Sequence, residues 1–151
     1  MGPTASILLD GRVLVADGWD GQRAPRGAEA FDPGTGTWRW VADMVEARRG
    51  HTATLLRDGR ALVVGGSDDG VSLLASAELY VPSEGRWPSA GSINFGRWGH
   101  AAVLTADGGV MVVGGSGFSA LRSAEIYTPA GGEWSSGNAI VRLRGRVATP
   151  V

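Results

Sequence analysis

The chain reads as short apolar runs broken at regular intervals by glycine, proline and acidic residues, with no convincing helical period anywhere. From His51 to Gly66, HTATLLRDGRALVVGG sets two apolar runs around Asp58-Gly59 and closes on a double glycine. Asp-Gly between apolar runs is a strong hairpin signal, because glycine supplies the positive φ that tight turns need. A near copy, HAAVLTADGGVMVVGG, spans His100 to Gly115. Self-comparison extends this duplication over nearly the whole chain, with a period of about 48 residues.

Four landmarks recur in order. Asp-Gly stands at 10–11, 58–59 and 107–108. It is followed by RVLVADG at 12–18, RALVVGG at 60–66 and GVMVVGG at 109–115. Next come GAEAFDP at 27–33, SAELYVP at 76–82 and SAEIYTP at 123–129, and then Trp38, Trp87 and Trp134. RRGHTATLL at 48–56 and RWGHAAVLT at 97–105 restart the cycle, and LRGRVATPV at 143–151 begins it once more.

Each unit predicts four strands. Strand one covers 4–9, 52–56 and 101–105, and strand two follows the Asp-Gly turn. Continuous apolarity in strand two predicts burial on both faces. Strand three alternates around Glu and Phe or Tyr and is stopped by a proline, which has no N–H for the ladder. Strand four is expected to start at the Trp. The fold class is all-β. Sandwiches and barrels do not require equal spacing of all four landmarks, whereas radial repetition does. The units run 1–50, 51–99 and 100–142, with 143–151 as the truncated first strand of a further unit.

As a set these residues resemble a kelch β-propeller, with a flavour similar to bacterial kelch proteins related to galactose oxidase. The resemblance rests on the double glycine after strand two, the aromatic of AEAF, AELY and AEIY, the strand-four Trp, and Arg-x-Gly-His opening the next unit. It implies a four-stranded blade per repeat, with strand one innermost at a central channel. The sequence departs from the pattern in having Asp17-Gly18 for Gly-Gly, Pro3 at the first His position and Arg146 at the last. The family usually closes rings of about six or seven blades, and three cannot close one. An arc would leave two apolar blade faces exposed. The expectation is a head-to-tail homodimer, two three-blade arcs forming one six-bladed ring under two-fold symmetry. In that ring 143–151 would compete with Thr4–Leu9 for one place. Either the tail inserts into the partner's first blade as a swapped clasp or it frays; the short hairpin favours Thr4–Leu9 and Pro150 removes a donor, which favours fraying.

Composition narrows the function. Hydrophobic residues are 43% and charged residues 19%, enough for a packed core. The net charge of −1 argues against a globally basic nucleic-acid binder. No apolar stretch approaches the ~18 residues of a membrane span, and no signal peptide is visible, so the default expectation is a cytoplasmic chain with no membrane partner. There is no Cys, so the copper chemistry of galactose oxidase, which uses a Cys-linked Tyr, does not carry over from the resemblance. Neither a nucleophile elbow, an HExxH helix nor a P-loop is present. No catalytic residue, metal or cofactor is assigned.

His51 and His100 occupy equivalent positions, as do Glu29, Glu78 and Glu125. Equivalence across repeats marks scaffold residues, so they are read as structural, the glutamates as buried acceptors for a neighbouring strand or for the Arg-x-Gly-His arginine. Trp38, Trp87, Trp134, Phe31, Tyr80 and Tyr127 are read as blade core. In kelch-like rings the strand four–one and two–three loops share one face. That face would carry Arg48, Arg49, Phe95, Arg97, Trp98, Arg142, Arg144 and Arg146, joined by Trp19, Asp20, Arg23, Arg26, Asp68, Asp69, Phe118 and Arg122. Arg48, Arg49, Arg97, Trp98, Arg144 and Arg146 are the candidate ligand residues, an arginine-rich channel mouth for an acidic peptide or a small anion. The leading function is a non-enzymatic binding or assembly module that pairs with itself. The alternatives are a galactose-oxidase-like enzyme whose site forms only in the complete ring, and a propeller fragment without activity of its own, which the abrupt stop at Val151 favours.

Overall fold

In the computed structural model, described for residues 2–16, 20–22 and 24–138, every regular element is a β-strand. There are twelve: β1 Thr4–Ile7, β2 Val13–Ala16, β3 Ala28–Asp32, β4 Thr37–Trp40, β5 Thr52–Leu55, β6 Ala61–Val64, β7 Ser76–Tyr80, β8 Ser89–Ser92, β9 Ala101–Leu104, β10 Val110–Val113, β11 Ala124–Thr128 and β12 Glu133–Ser136. They form three antiparallel four-stranded sheets, each in sequence order: β1–β4, β5–β8 and β9–β12. These are the three blades expected from the repeat. The tail 139–151, with its fourth copy of strand one, lies outside the described residues.

Hairpin chemistry sets the inner strands. Gly11, Gly59 and Gly108 take positive φ in the β1–β2, β5–β6 and β9–β10 turns, which only glycine adopts without strain. β1, β5 and β9 lie side by side as the innermost strands, and β8 and β12 meet further out. Cross-strand register puts Phe31 opposite Trp38 and Tyr127 opposite Trp134. All three aromatic pairs pack alike, with ring centroids 5.0 to 5.2 Å apart. In the second blade strand four does not start at the Trp. β8 begins at Ser89, after Trp87-Pro88, and its pairing with β7 shifts register between Ser76 and Glu78. Pro88 has no N–H to donate, so the ladder resumes beyond it, although its carbonyl still accepts from the Leu79 N–H at 2.9 Å.

Each blade has a front, facing the next blade, and a rear, facing the previous one. Leu14, Ala16, Ala28 and Met44 on the front of blade one pack against Ala61, Val63, Tyr80 and Trp87 on the rear of blade two. Leu62, Val64, Ala77 and Leu79 on the front of blade two pack against Val110, Val112 and Tyr127 on the rear of blade three. Strand β6 therefore buries all four residues, as its unbroken apolarity predicts. β2 and β10 alternate instead, with Val13 and Val15, and Met111 and Val113, only half-buried. The same strand type is buried on both faces only when it has a blade on both sides.

Candidate functional site

The polar side chains that the repeat duplicates are gathered in the two seams between blades. Arg48 sits in the connector entering blade two and is wholly buried. Its Nη1 donates to the Gly65 carbonyl at 2.7 Å and the Ser76 carbonyl at 3.2 Å, and its Nη2 to Glu78 Oε1 at 2.8 Å. Glu78 also accepts the backbone N–H groups of Val45 and Glu46, at 2.7 and 3.1 Å. Blade three repeats the device. Arg97 donates to the carbonyls of Gly114 and Ser123, both at 3.1 Å, and to Glu125 Oε1 at 2.9 Å, while Glu125 accepts the Asn94 N–H at 2.8 Å. Burial pulls the Arg97 guanidinium below the ordinary arginine value, against the pull of Glu125. Buried carboxylates and guanidinia need such partners, since an uncompensated buried charge is strongly destabilising.

The structure removes Arg48 and Arg97 from the expected ligand set. Both are fully buried, and their Nη groups are spent on carbonyls, a serine hydroxyl and a carboxylate that hold strand ends together. Guanidinia enclosed in this way are not offered to an anion at a channel mouth.

The histidines add a second tie across each seam. His51 Nε2 lies 2.8 Å from Thr4 Oγ1 of the preceding blade, and His100 Nε2 lies 2.8 Å from Thr52 Oγ1. Both rings are buried, and each Nδ1 is buried without a hydrogen-bond partner. Burial first, then Arg48, pushes His51 down to about 4; burial, then Arg97 and His51, pushes His100 down to about 3. Both imidazoles are neutral at pH 7. Sequence reading missed the threonines, although the shared first position of strand one in the first two repeats, Thr4 and Thr52, was the available signal. Among the described residues no three His, Asp or Glu side chains are placed to hold a metal ion.

A third tie runs from the strand-four Trp. Trp87 Nε1 donates to the Ala42 carbonyl and Trp134 Nε1 to the Ala90 carbonyl, both at 2.7 Å. Trp38 departs from the expected core position: it is 54% exposed where Trp87 is 5% exposed. Among the described residues nothing packs on the rear of blade one, so Trp38 keeps its Phe31 partner but gains no further cover. Glu29 is half-buried on the same face. Among the described residues neither the Glu29 carboxylate nor the Trp38 N–H has a hydrogen-bond partner.

The strand four–one and two–three loops do share a face. Arg49 and Ser67 exchange backbone hydrogen bonds at 2.8 and 3.0 Å, and Trp98 and Ser116 do the same at 3.1 and 3.0 Å. Arg49 and Trp98 are half-buried there, and Phe95 and Phe118 are exposed. Asp69 is held well below the usual carboxylate range by the N–H groups of Ser72 and Val71, so it caps its own loop. A cavity of about 540 Å³ opens on this face between blades one and two, lined by Arg26, Trp40, Asp43, Asp68 and Asp69 among others. Three carboxylates against one guanidinium make this hollow a poor host for an anion. Arg142, Arg144, Arg146, Trp19 and Arg23 lie outside the described residues.

Comparison with known proteins follows this geometry. A solved structure of a fungal alcohol oxidase of the AA5 family, in complex with copper, is similar to the chain with a TM-score of 0.71 and 23% identity. The match covers 88% of this chain and 29% of that one, so the chain spans under a third of the oxidase's length. At that identity the likeness is one of fold. A search of curated proteins finds no match. The family model described as the kelch motif matches residues 2–45 and 97–138, more than half of the chain. The chain belongs to the kelch-motif family and builds three propeller blades.

Proposed function

We propose that the chain is a non-enzymatic kelch assembly and binding module that completes a six-bladed ring by pairing with a second copy. The observation that carries this reading is the pair of unmatched ends. The rear of blade one presents Ile7, Val13, Val15, Phe31 and Trp38, and the front of blade three presents Val103, Met111, Val113 and Ile126. Apart from Val103, whose equivalents are the half-buried Ser6 and Thr54, these positions are repeat equivalents of residues that are buried or half-buried inside the two existing seams. A soluble monomer rarely leaves contiguous apolar faces of this kind wet. A head-to-tail contact between them closes under two-fold symmetry. Light scattering on the purified chain tests it directly: the expected mass is twice the 15.6 kDa of one chain, and a stable monomer at high concentration would sink it.

The anion-capturing mouth narrows to Arg49 beside Trp98, together with Arg144 and Arg146 in sequence. On this reading Arg49→Glu abolishes binding of an acidic peptide while leaving the fold intact, and unchanged binding removes the mouth from the proposal. The alternative of an oxidase-like enzyme draws on likeness of fold alone.

A further inference from the structure

Inside the molecule a rear face is never held by apolar contact alone. Each buried rear face offers one carboxylate, which takes backbone N–H groups from the preceding blade's connector, and one indole N–H, which takes a carbonyl from the same neighbour. The rear of blade one keeps both groups, Glu29 and Trp38, and neither has a partner among the described residues. Resting on the assembly reading above, we propose that Glu29 and Trp38 are the specificity contacts of a docking socket. Its occupant is the front of blade three of a second copy, which ends at β12 and the Gly137-Asn138 that follows it.

Three features of this chain favour a second copy as occupant. The first is a matched loss. In both existing seams a His on the rear side meets a Thr on the front side. At the open ends the His position holds Pro3 and the Thr position holds Ala101. Both halves of one hydrogen bond are gone together, so closing these ends leaves no orphaned hydroxyl or imidazole. The second is steric. A Cβ at Gly59 or Gly108 would meet a side chain of the preceding blade, Leu9 or Arg57, whereas Gly11 has nothing within 4 Å. The residue equivalent to Leu9 and Arg57 on blade three is Ala106, which is exposed and small enough to sit over Gly11. The third is unspent polarity. A carboxylate desolvated at an interface needs amide or cationic donors, and Glu29 has none among the described residues. Trp38 supplies the large amphipathic anchor typical of contacts that dominate binding energy.

The test uses two single variants of the full chain, with dissociation constants from sedimentation. Glu29→Lys kills the rear face and Val103→Glu kills the front face. Each is expected to weaken the dimer by roughly 100-fold while keeping wild-type far-ultraviolet circular dichroism. Should Glu29→Lys unfold, the isosteric Glu29→Gln replaces it, with an expected loss of roughly tenfold. Glu84→Lys, at an exposed turn of blade two, is the charge-matched control and should change nothing. Mixing the two weakened chains gives a heterodimer with one wild-type contact and one doubly substituted contact, in which the introduced lysine faces the introduced glutamate rather than an apolar or amide partner. A wild-type monomer overturns the assembly reading itself. A wild-type dimer unaffected by Glu29→Lys and Glu29→Gln overturns only the socket. A dimer that Val103→Glu leaves intact overturns the head-to-tail arrangement.

Discussion

Blade two and blade one carry the same four strands, the same aromatic pair and the same strand-three glutamate, yet they differ in what those residues do. In blade two Glu78 accepts two backbone N–H groups and the Arg48 guanidinium, and Trp87 is buried with its N–H bound to Ala42. In blade one the equivalent Glu29 and Trp38 have no hydrogen-bond partners among the described residues. The repeat encodes the side chain, and the neighbouring blade determines whether it is a buried tie or an exposed one. This is the energetics expected of quasi-one-dimensional repeats, in which stability is a sum of units and nearest-neighbour interfaces.

The largest test of that contrast is removal of a carboxylate. Glu78→Ala removes the buried carboxylate closest to Arg48, leaving only the more exposed Glu46 at 3.5 Å, and should cost about 3 kcal/mol in urea unfolding. Glu29→Ala, measured under monomeric conditions, should stay within about 0.5 kcal/mol. Equal losses would erase the distinction between seam and edge.

Acid titration comes next. The folded-state values of His51 and His100 are depressed from 6.5 to about 4 and about 3. The unfolded chain therefore binds protons first, and stability present above pH 6.5 is lost as the pH falls through 4 towards 3. The loss is on the order of 3 kcal/mol per histidine. His51→Gln and His100→Gln should each flatten part of that fall, and an unchanged acid limb would show that the histidines do not link the blades.

Core truncation follows. Leu62→Ala empties a fully buried site between blades two and three and should cost about 2–4 kcal/mol. Met111→Ala, at the equivalent but half-buried place on the open front, should cost under about 1 kcal/mol in the monomer. The smallest effect concerns one hydrogen bond. Trp87→Phe loses the bond to Ala42 and should cost about 1 kcal/mol, whereas Trp38→Phe in the monomer should be near zero. Thermal melts of the four variants compare the pairs side by side.

Much of the fold was legible because the signals are local and repeated. Asp-Gly, the double glycine and the proline after strand three each specify a backbone event within a few residues, and the structure places turns and strand ends at those points. The start of strand four in blade two was misread because Pro88 acts on pairing with β7, a partner remote in sequence. The candidate mouth was legible only as a list of loop arginines. Arg48 and Arg49 are adjacent in sequence, and nothing local says that Arg48 turns inward to meet Glu78, thirty residues later, while Arg49 stays on the loop face.

The sequence by itself determined the strand type, the hairpin turns, the three-blade count and the membership of each side chain in a repeated class. Those follow from backbone preferences and from a period that a single chain displays. The tertiary structure decided which of three equivalent glutamates and tryptophans are satisfied, which arginines are spent inside seams, and which two blade faces are left open. Those depend on having a neighbour, and the repeat is the same whether or not a neighbour is there.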